Sequence, residues 1–304
     1  MSRPIGGAGP VSRELEASYT HCERLARRKA KNFYLSFWLL PRDKRRAMSA
    51  LYAFLRHTDD LVDDPRPLSV RRESLASWRE SMERALLGSF DSPIWPALVD
   101  TVARYRIPPE YLREVIRGVE MDLSDGRYET FDQLALYCYR VASVVGLSCI
   151  HIWGFRGREA LEPAQHCGTA FQLTNILRDL KEDAQQGRFY LPREDLDRFG
   201  YTIDDLCRGV RDERLARLIR FEVERVESFY RLGAELERWL GEDGRRIFRT
   251  MTGIYHGLLD EIKRREGDVL DHRIRLSPWR KMAIAARCLA AAPRLTPAPA
   301  AVRS

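Results

Sequence analysis

Little in this 304-residue sequence points to a membrane span, a disulfide scaffold or a β-sheet. No run approaches the roughly 18 consecutive apolar residues that a spanning helix needs. Six cysteines (Cys22, Cys138, Cys149, Cys167, Cys207 and Cys288) are scattered without a CxxC pair, which excludes the common zinc spacings and fits reduced thiols. The opening residues, MSRPIGGAGPVS, have no apolar core segment and do not read as a secretory signal. Alternating β-branched stretches are almost absent. Zinc-finger spacing, RNP-like aromatic motifs and Gly-rich phosphate loops are missing too, so no nucleic-acid partner is expected despite a net charge of +7. Most arginines alternate with acids, as in RDERLARLIRFEVERVESFYRLGAELERWL, the pattern of a solvated helix face.

What is present is helical periodicity, within an ordinary globular composition of 44% apolar and 31% charged residues. It predicts helices over 13–30, 43–64, 68–87, 93–105, 109–122, 130–153, 159–186, 203–208, 212–240, 243–265 and 277–291. Breaks fall at the Pro- and Gly-bearing segments LLPRDK, DDPRPL, YRIPPE, GFRGRE, YLPRED and GEDG. None is long or low in complexity. The expectation is one all-α domain over 13–291, with 1–12 and the Pro/Ala-rich 292–304 as disordered flanks.

Two helical stretches are unusually acidic. In LYAFLRHTDDLVDD, Tyr52, Arg56, Asp59 and Asp63 fall within about 60° of arc at 100° per residue. In FQLTNILRDLKEDAQQGRFYLP, Leu173, Ile176, Leu177 and Leu180 form an apolar face. Opposite it, Gln172, Asn175, Asp179, Glu182 and Asp183 share an arc of about 100°. One such stripe reads as a solvated surface. Two of them suggest binding of hard cations, since Mg²⁺ takes one or two carboxylates, several waters and substrate phosphate oxygens. Arg56, Arg178 and Arg188 lie near the stripes, where charge-assisted contacts to phosphate are expected.

These segments, together with NFYLSFWLLP and YCYRVASVVG, resemble the squalene/phytoene synthase family over about residues 18–280. The resemblance implies an isoprenoid synthase-type helical bundle around a central cavity, and head-to-head condensation of two prenyl diphosphates. It places Asp59, Asp60 and Asp63 in the first aspartate-rich motif, and Asn175, Asp179 and Asp183 at metal and diphosphate positions. It further implies Tyr52, Arg56, Tyr137 and Arg178 as catalytic residues, and Phe33, Phe37, Val141, Ala142, Val145, Gly146, Gln172 and Arg188 as substrate-binding ones. Mg²⁺, with Mn²⁺ as a substitute, is the implied cofactor; NADPH use is left open, because family members that reduce their product lack a dinucleotide fingerprint. The wording of YCYRVASVVGL and LPREDLDRFGYT resembles bacterial presqualene diphosphate synthases. Two farnesyl diphosphates are therefore the expected substrates, and geranylgeranyl diphosphate, giving phytoene, is the alternative.

A terpene cyclase or chain elongase would not be expected to carry both the central helix and RFYLP. A silent assembly subunit would be expected to have lost its aspartates. The expected setting is cytoplasmic, with downstream isoprenoid enzymes as further partners. The segment SPWRKMAIAARCLAAAPR has two readings: a closing helix packed on the core, or a basic helix resting on an anionic membrane surface.

Overall fold

The computed structural model of the protein describes residues 10–29, 36–124, 126–265, 268–270 and 274–290. Among them the chain is all-helical, its β-structure limited to two isolated bridges, Arg127 with Phe189 and Phe155 with Leu240. The expected flanks lie mostly outside the described residues, although the first helix already begins at Pro10. The chain divides into two compact units between Leu123 and Ser124.

The first unit contains α1 (Pro10–Lys29), α2 (Arg42–Val62), α3 (Leu68–Leu86), α4 (Trp95–Arg104) and α5 (Pro109–Met121). Prolines set several of the starts: Pro41, Pro67 and Pro108 immediately precede α2, α3 and α5, where a missing N–H leaves no helical bond unmade. All the other helices of this unit pack on α2. Its inner face buries Met48, Leu51 and Phe54 against Trp78 and Trp95, whose rings stack 4.0 Å apart. Buried Thr58 accepts a hydrogen bond from Trp78 Nε1 at 3.0 Å.

The second unit begins with α6 (Phe131–Cys138), a π turn (Tyr139–Ser143) and α7 (Val144–Trp153), followed by α8 (Leu161–Gln185), α9 (Arg193–Phe199) and α10 (Ile203–Arg208). Then come α11 (Glu213–Ala234), which runs on as a 3₁₀ turn to Trp239, α12 (Glu242–Arg264) and α13 (Pro278–Ala290). The prediction missed α9, because PRED was read as a break; Pro192 is the residue before its first turn, and Gly200 ends it in the left-handed conformation. Here α8 is central, with the π turn, α7, α11 and α12 packed around it. Leu173, Ile176, Leu177 and Leu180 are all buried, as the apolar stripe requires.

The π turn replaces part of what the sequence suggests is one helix over 130–153. Gly168 of α8 explains it. A Cβ there would stand 2.4 Å from Ser143 Cα and 2.8 Å from the Ala142 carbonyl oxygen, so only glycine admits this approach. Ser143 Oγ holds the crossing by donating to the Gln165 carbonyl at 2.8 Å. The span Phe131–Trp153 is long and apolar enough, by length and composition, to cross a membrane. Half of it is buried, however, and it packs on α8, as a core helix does.

At the end of the described chain, α13 packs on α12 through Ile284, which joins Leu258 and Leu276. Arg280 donates to the buried carboxylate of Glu261 at 2.9 Å, and Arg264 and Arg265 share that acid. Together they hold its pKa below the ordinary value, against the opposing effect of burial. The closing-helix reading therefore describes one face of α13.

Candidate active site

The first acidic stripe occupies the last turns of α2. Tyr52 and Arg56 are half-buried, while Asp59 and Asp63 are open to solvent. Arg56 pairs with Asp60 one turn on. Asp59 is reached by water yet surrounded by protein: burial pushes its carboxyl up to about 7, Arg56 opposes this, and Asp63, Asp122 and Asp60 reinforce it. Asp64 is tied to Arg66, away from the stripe. His57 packs on Trp78 with ring centres 4.2 Å apart, and burial lowers its pKa, so it has a packing role. Phe37 is buried. Phe33 lies outside the described residues.

The second stripe runs along α8. Gln172, Asn175, Arg178, Asp179 and Asp183 are all half-buried, on the side opposite the buried leucines. Arg178 Nε donates to Asp179 at 2.9 Å, and its guanidinium closes on the same carboxylate. Just past the helix, the Arg188 N–H returns to the Asp183 carbonyl at 2.8 Å. Asn175 Oδ1 is buried without a hydrogen-bond partner. Its amide nitrogen reaches toward Gln172 Oε1 at 3.4 Å, and its side chain also bonds Tyr255. A neutral oxygen left unsatisfied one turn before two aspartates is the donor set a hard divalent cation takes.

Beside α8 the chain places an apolar and aromatic surface. Val141, Ala142, Val145 and Gly146 are only half-buried, although they lie on a core helix. Tyr137 is buried, stacks on Tyr190 at 5.2 Å between ring centres and lies 5.6 Å from Tyr128. Tyr255 stacks on Phe171 at 4.3 Å, and burial raises its pKa.

Sequence reasoning passed over Tyr128, Tyr190 and Tyr255, since a tyrosine within an apolar pattern reads as core; only the bond to Asn175 sets Tyr255 apart. Lys281 belongs to the segment given two readings, packed helix or membrane-facing helix; it is half-buried, and burial together with the charges of Arg178 and Arg275 lowers its pKa.

Two other features of the second unit are separate from these stripes. Glu227, His256 and Asp260 lie close enough to share an ion, but Lys263 Nζ already sits 2.9 Å from Glu227, and the group is an ion-pair network. A cavity of about 290 Å³ opens among Tyr128, Phe189, Leu196, Tyr201, Arg127 and Arg193, and none of the predicted site residues lines it.

The fold and its carboxylate stripes define an all-α enzyme scaffold suited to polyphosphate substrates and divalent cations. The chain belongs to the squalene/phytoene synthase family, whose pattern matches residues 26–280. It is 42% identical to a phytoene synthase of Arthrospira platensis over 278 residues, covering 87% of this chain and 90% of that protein. It is also 36% identical to a phytoene synthase of Mycobacterium tuberculosis, covering 94% and 95%. Among solved structures it resembles a dehydrosqualene synthase (TM-score 0.79, 28% identity, 92% and 98% covered). The squalene synthase HpnC from Alicyclobacillus acidocaldarius matches at the same TM-score with 30% identity, covering 83% and 95%. The protein is thus a prenyltransferase of the class that condenses prenyl diphosphates head to head, a family that typically depends on divalent metal.

Proposed function

We propose that this chain joins two molecules of geranylgeranyl diphosphate to give phytoene. One observation carries the choice of substrate: the phytoene synthases of Arthrospira platensis and Mycobacterium tuberculosis match it over nearly their whole length at 42% and 36% identity. This favours the alternative weighed in the sequence over the farnesyl reading expected from its wording. The squalene-type structural neighbours, at 28% and 30% identity, keep farnesyl diphosphate and presqualene diphosphate as the second reading.

In this proposal Asp59 and Asp63 on α2, and Asn175, Asp179 and Asp183 on α8, hold Mg²⁺. Bound there, the metal neutralises the diphosphate and makes it a leaving group. Arg56, Arg178 and Arg188 supply charge-assisted contacts to its oxygens, and Tyr52 and Gln172 orient it. Val141, Ala142, Val145 and Gly146 accommodate the isoprenoid chain, and the family resemblance adds Phe33 and Phe37 to the residues that bind it. A site that leaves an allylic cation must exclude water, and these residues present no nucleophile. The face of Tyr137 steadies the passing positive charge. Release of a proton completes the C20 reaction without a reductant, so NADPH has no part in it, and a cytoplasmic setting suits the diphosphate substrate.

The test is to incubate the purified protein and Mg²⁺ with C20 or C15 diphosphate, each with and without NADPH. Phytoene from the C20 substrate, independent of NADPH, is expected. Presqualene diphosphate or squalene from C15, with C20 inert, would reverse the assignment.

A further inference from the structure

The positive charge of this chain is concentrated at one end. Residues 272–304 contain Arg273, Arg275, Arg280, Lys281, Arg287, Arg294 and Arg303 and no acid, which accounts for the whole net charge of +7. The 271 residues before them are balanced, 44 cations against 44 acids. Within this segment α13 has two faces. Ile284 is buried against α12, and Arg280 is anchored on Glu261. The other side presents Trp279, Met282, Ala283 and Ala286 at i, i+3, i+4 and i+7, all exposed; Trp279 is 77% and Met282 59% accessible. A tryptophan and a methionine so exposed on one stripe, flanked by cations alone, are costly to leave in water.

We propose that this outer face of α13 docks the protein on an anionic lipid bilayer. The apolar stripe would enter the headgroup boundary, where an indole is favoured, while the exposed Arg275 and Arg287 meet lipid phosphates. Charge complementarity selects this occupant. A second copy would bring one acid-free segment against another, and a soluble polyanion would leave the Trp279–Met282 stripe in water. The inference rests on α13 and the residues leading into it from Ile274, and holds for either prenyl substrate.

The test uses the full-length protein and vesicles of phosphatidylcholine, with or without phosphatidylglycerol, in a flotation assay across a salt series. Binding is expected only to the anionic vesicles, weakening as salt rises. The double variant W279S/M282S should weaken it at least tenfold at fixed salt, while turnover in detergent stays at the wild-type level. Arg287→Glu, which changes two charges, should weaken it about thirtyfold. Quenching by brominated lipids should fall in Trp279→Phe, a substitution that keeps the face apolar. Equal binding to neutral vesicles, unchanged binding of W279S/M282S, or binding to heparin without binding to vesicles would each overturn the proposal.

Discussion

The two acidic stripes occur in different units of the chain and share a peculiarity. Each sits at the C-terminal end of the helix on which its unit packs, α2 in the first and α8 in the second, and neither helix has a basic residue in its last turn. The free carbonyls there already carry negative partial charge, so a carboxylate in the last turn, as at Asp59 and Asp183, costs about 0.3–1 kcal/mol. Packing gives no reason to do this twice. The stripes differ in what they leave unmet. On α2 it is charge: Arg56 is committed to Asp60, and Asp59 is crowded by neighbouring acids and surrounded by protein. On α8 Arg178 already neutralises Asp179, and the unmet group is the neutral Asn175 Oδ1. One stripe lacks compensation and the other lacks coordination, and each deficit is of a kind that the proposed divalent cation would meet.

Asp59→Asn and Asp183→Asn should break that complementarity with the largest effect. Each is expected to lower kcat at least about a hundredfold, roughly 3 kcal/mol of lost electrostatic stabilisation. The melting temperature of metal-free Asp59→Asn should not fall, because that substitution removes repulsion from Asp63, Asp122 and Asp60. Near-normal turnover by both variants would remove the stripes from the mechanism.

Stability tests should separate the two central helices next. Gly168→Ala pushes a methyl into the π-turn backbone. Overpacking of this kind costs roughly 1–3 kcal/mol, and rigid neighbours place it at the upper end; alanine's advantage of about 1 kcal/mol in a helix interior offsets part. A net loss near 2 kcal/mol should be seen in urea unfolding, with reduced turnover. The counterpart on α2, Thr58→Val, leaves Trp78 Nε1 without its acceptor and should cost about 1–2 kcal/mol. If Gly168→Ala were neutral, the close crossing would not be what positions the π turn.

The smallest effect belongs to the edge of the second unit. The pKa of Glu261 is held below its ordinary value of 4.5 in the folded protein, so its contribution is present above that pH and fades as pH falls below it. The melting temperature of Glu261→Gln should therefore lie below wild type at pH 7, and the gap should narrow on acidification below about 4.5. A gap independent of pH would assign the effect to shape.

Much of this arrangement could be read in advance because helix periodicity and proline positions are local properties. The helix predicted over 68–87 runs to Leu86, and that over 203–208 matches its bounds. What escaped depends on partners far along the chain. The π turn exists because Gly168 meets Ser143, 25 positions earlier, and a continuous apolar pattern gives no sign of it. Tyr255 is distinguished by its bond to Asn175, and Lys281 by burial close to the like charge of Arg178. The aspartates themselves stood out because two helical stretches each carry carboxylates at one-turn spacing, which is also a local property.

The π turn has a consequence for how this sequence can change by insertion or deletion. Its wider winding absorbs one extra residue, cancelling the phase change of about 100° that an inserted residue would cause in an α-helix. Losing any one residue of Tyr139–Ser143 would leave an uninterrupted α-helix of good composition. Tyr137 would keep its angle relative to Val145 and Gly146, because five residues of π turn sweep about the same angle as four of α-helix. A one-residue deletion here would preserve both the secondary structure and the flanking faces, and would remove only the wide turn that receives Gly168.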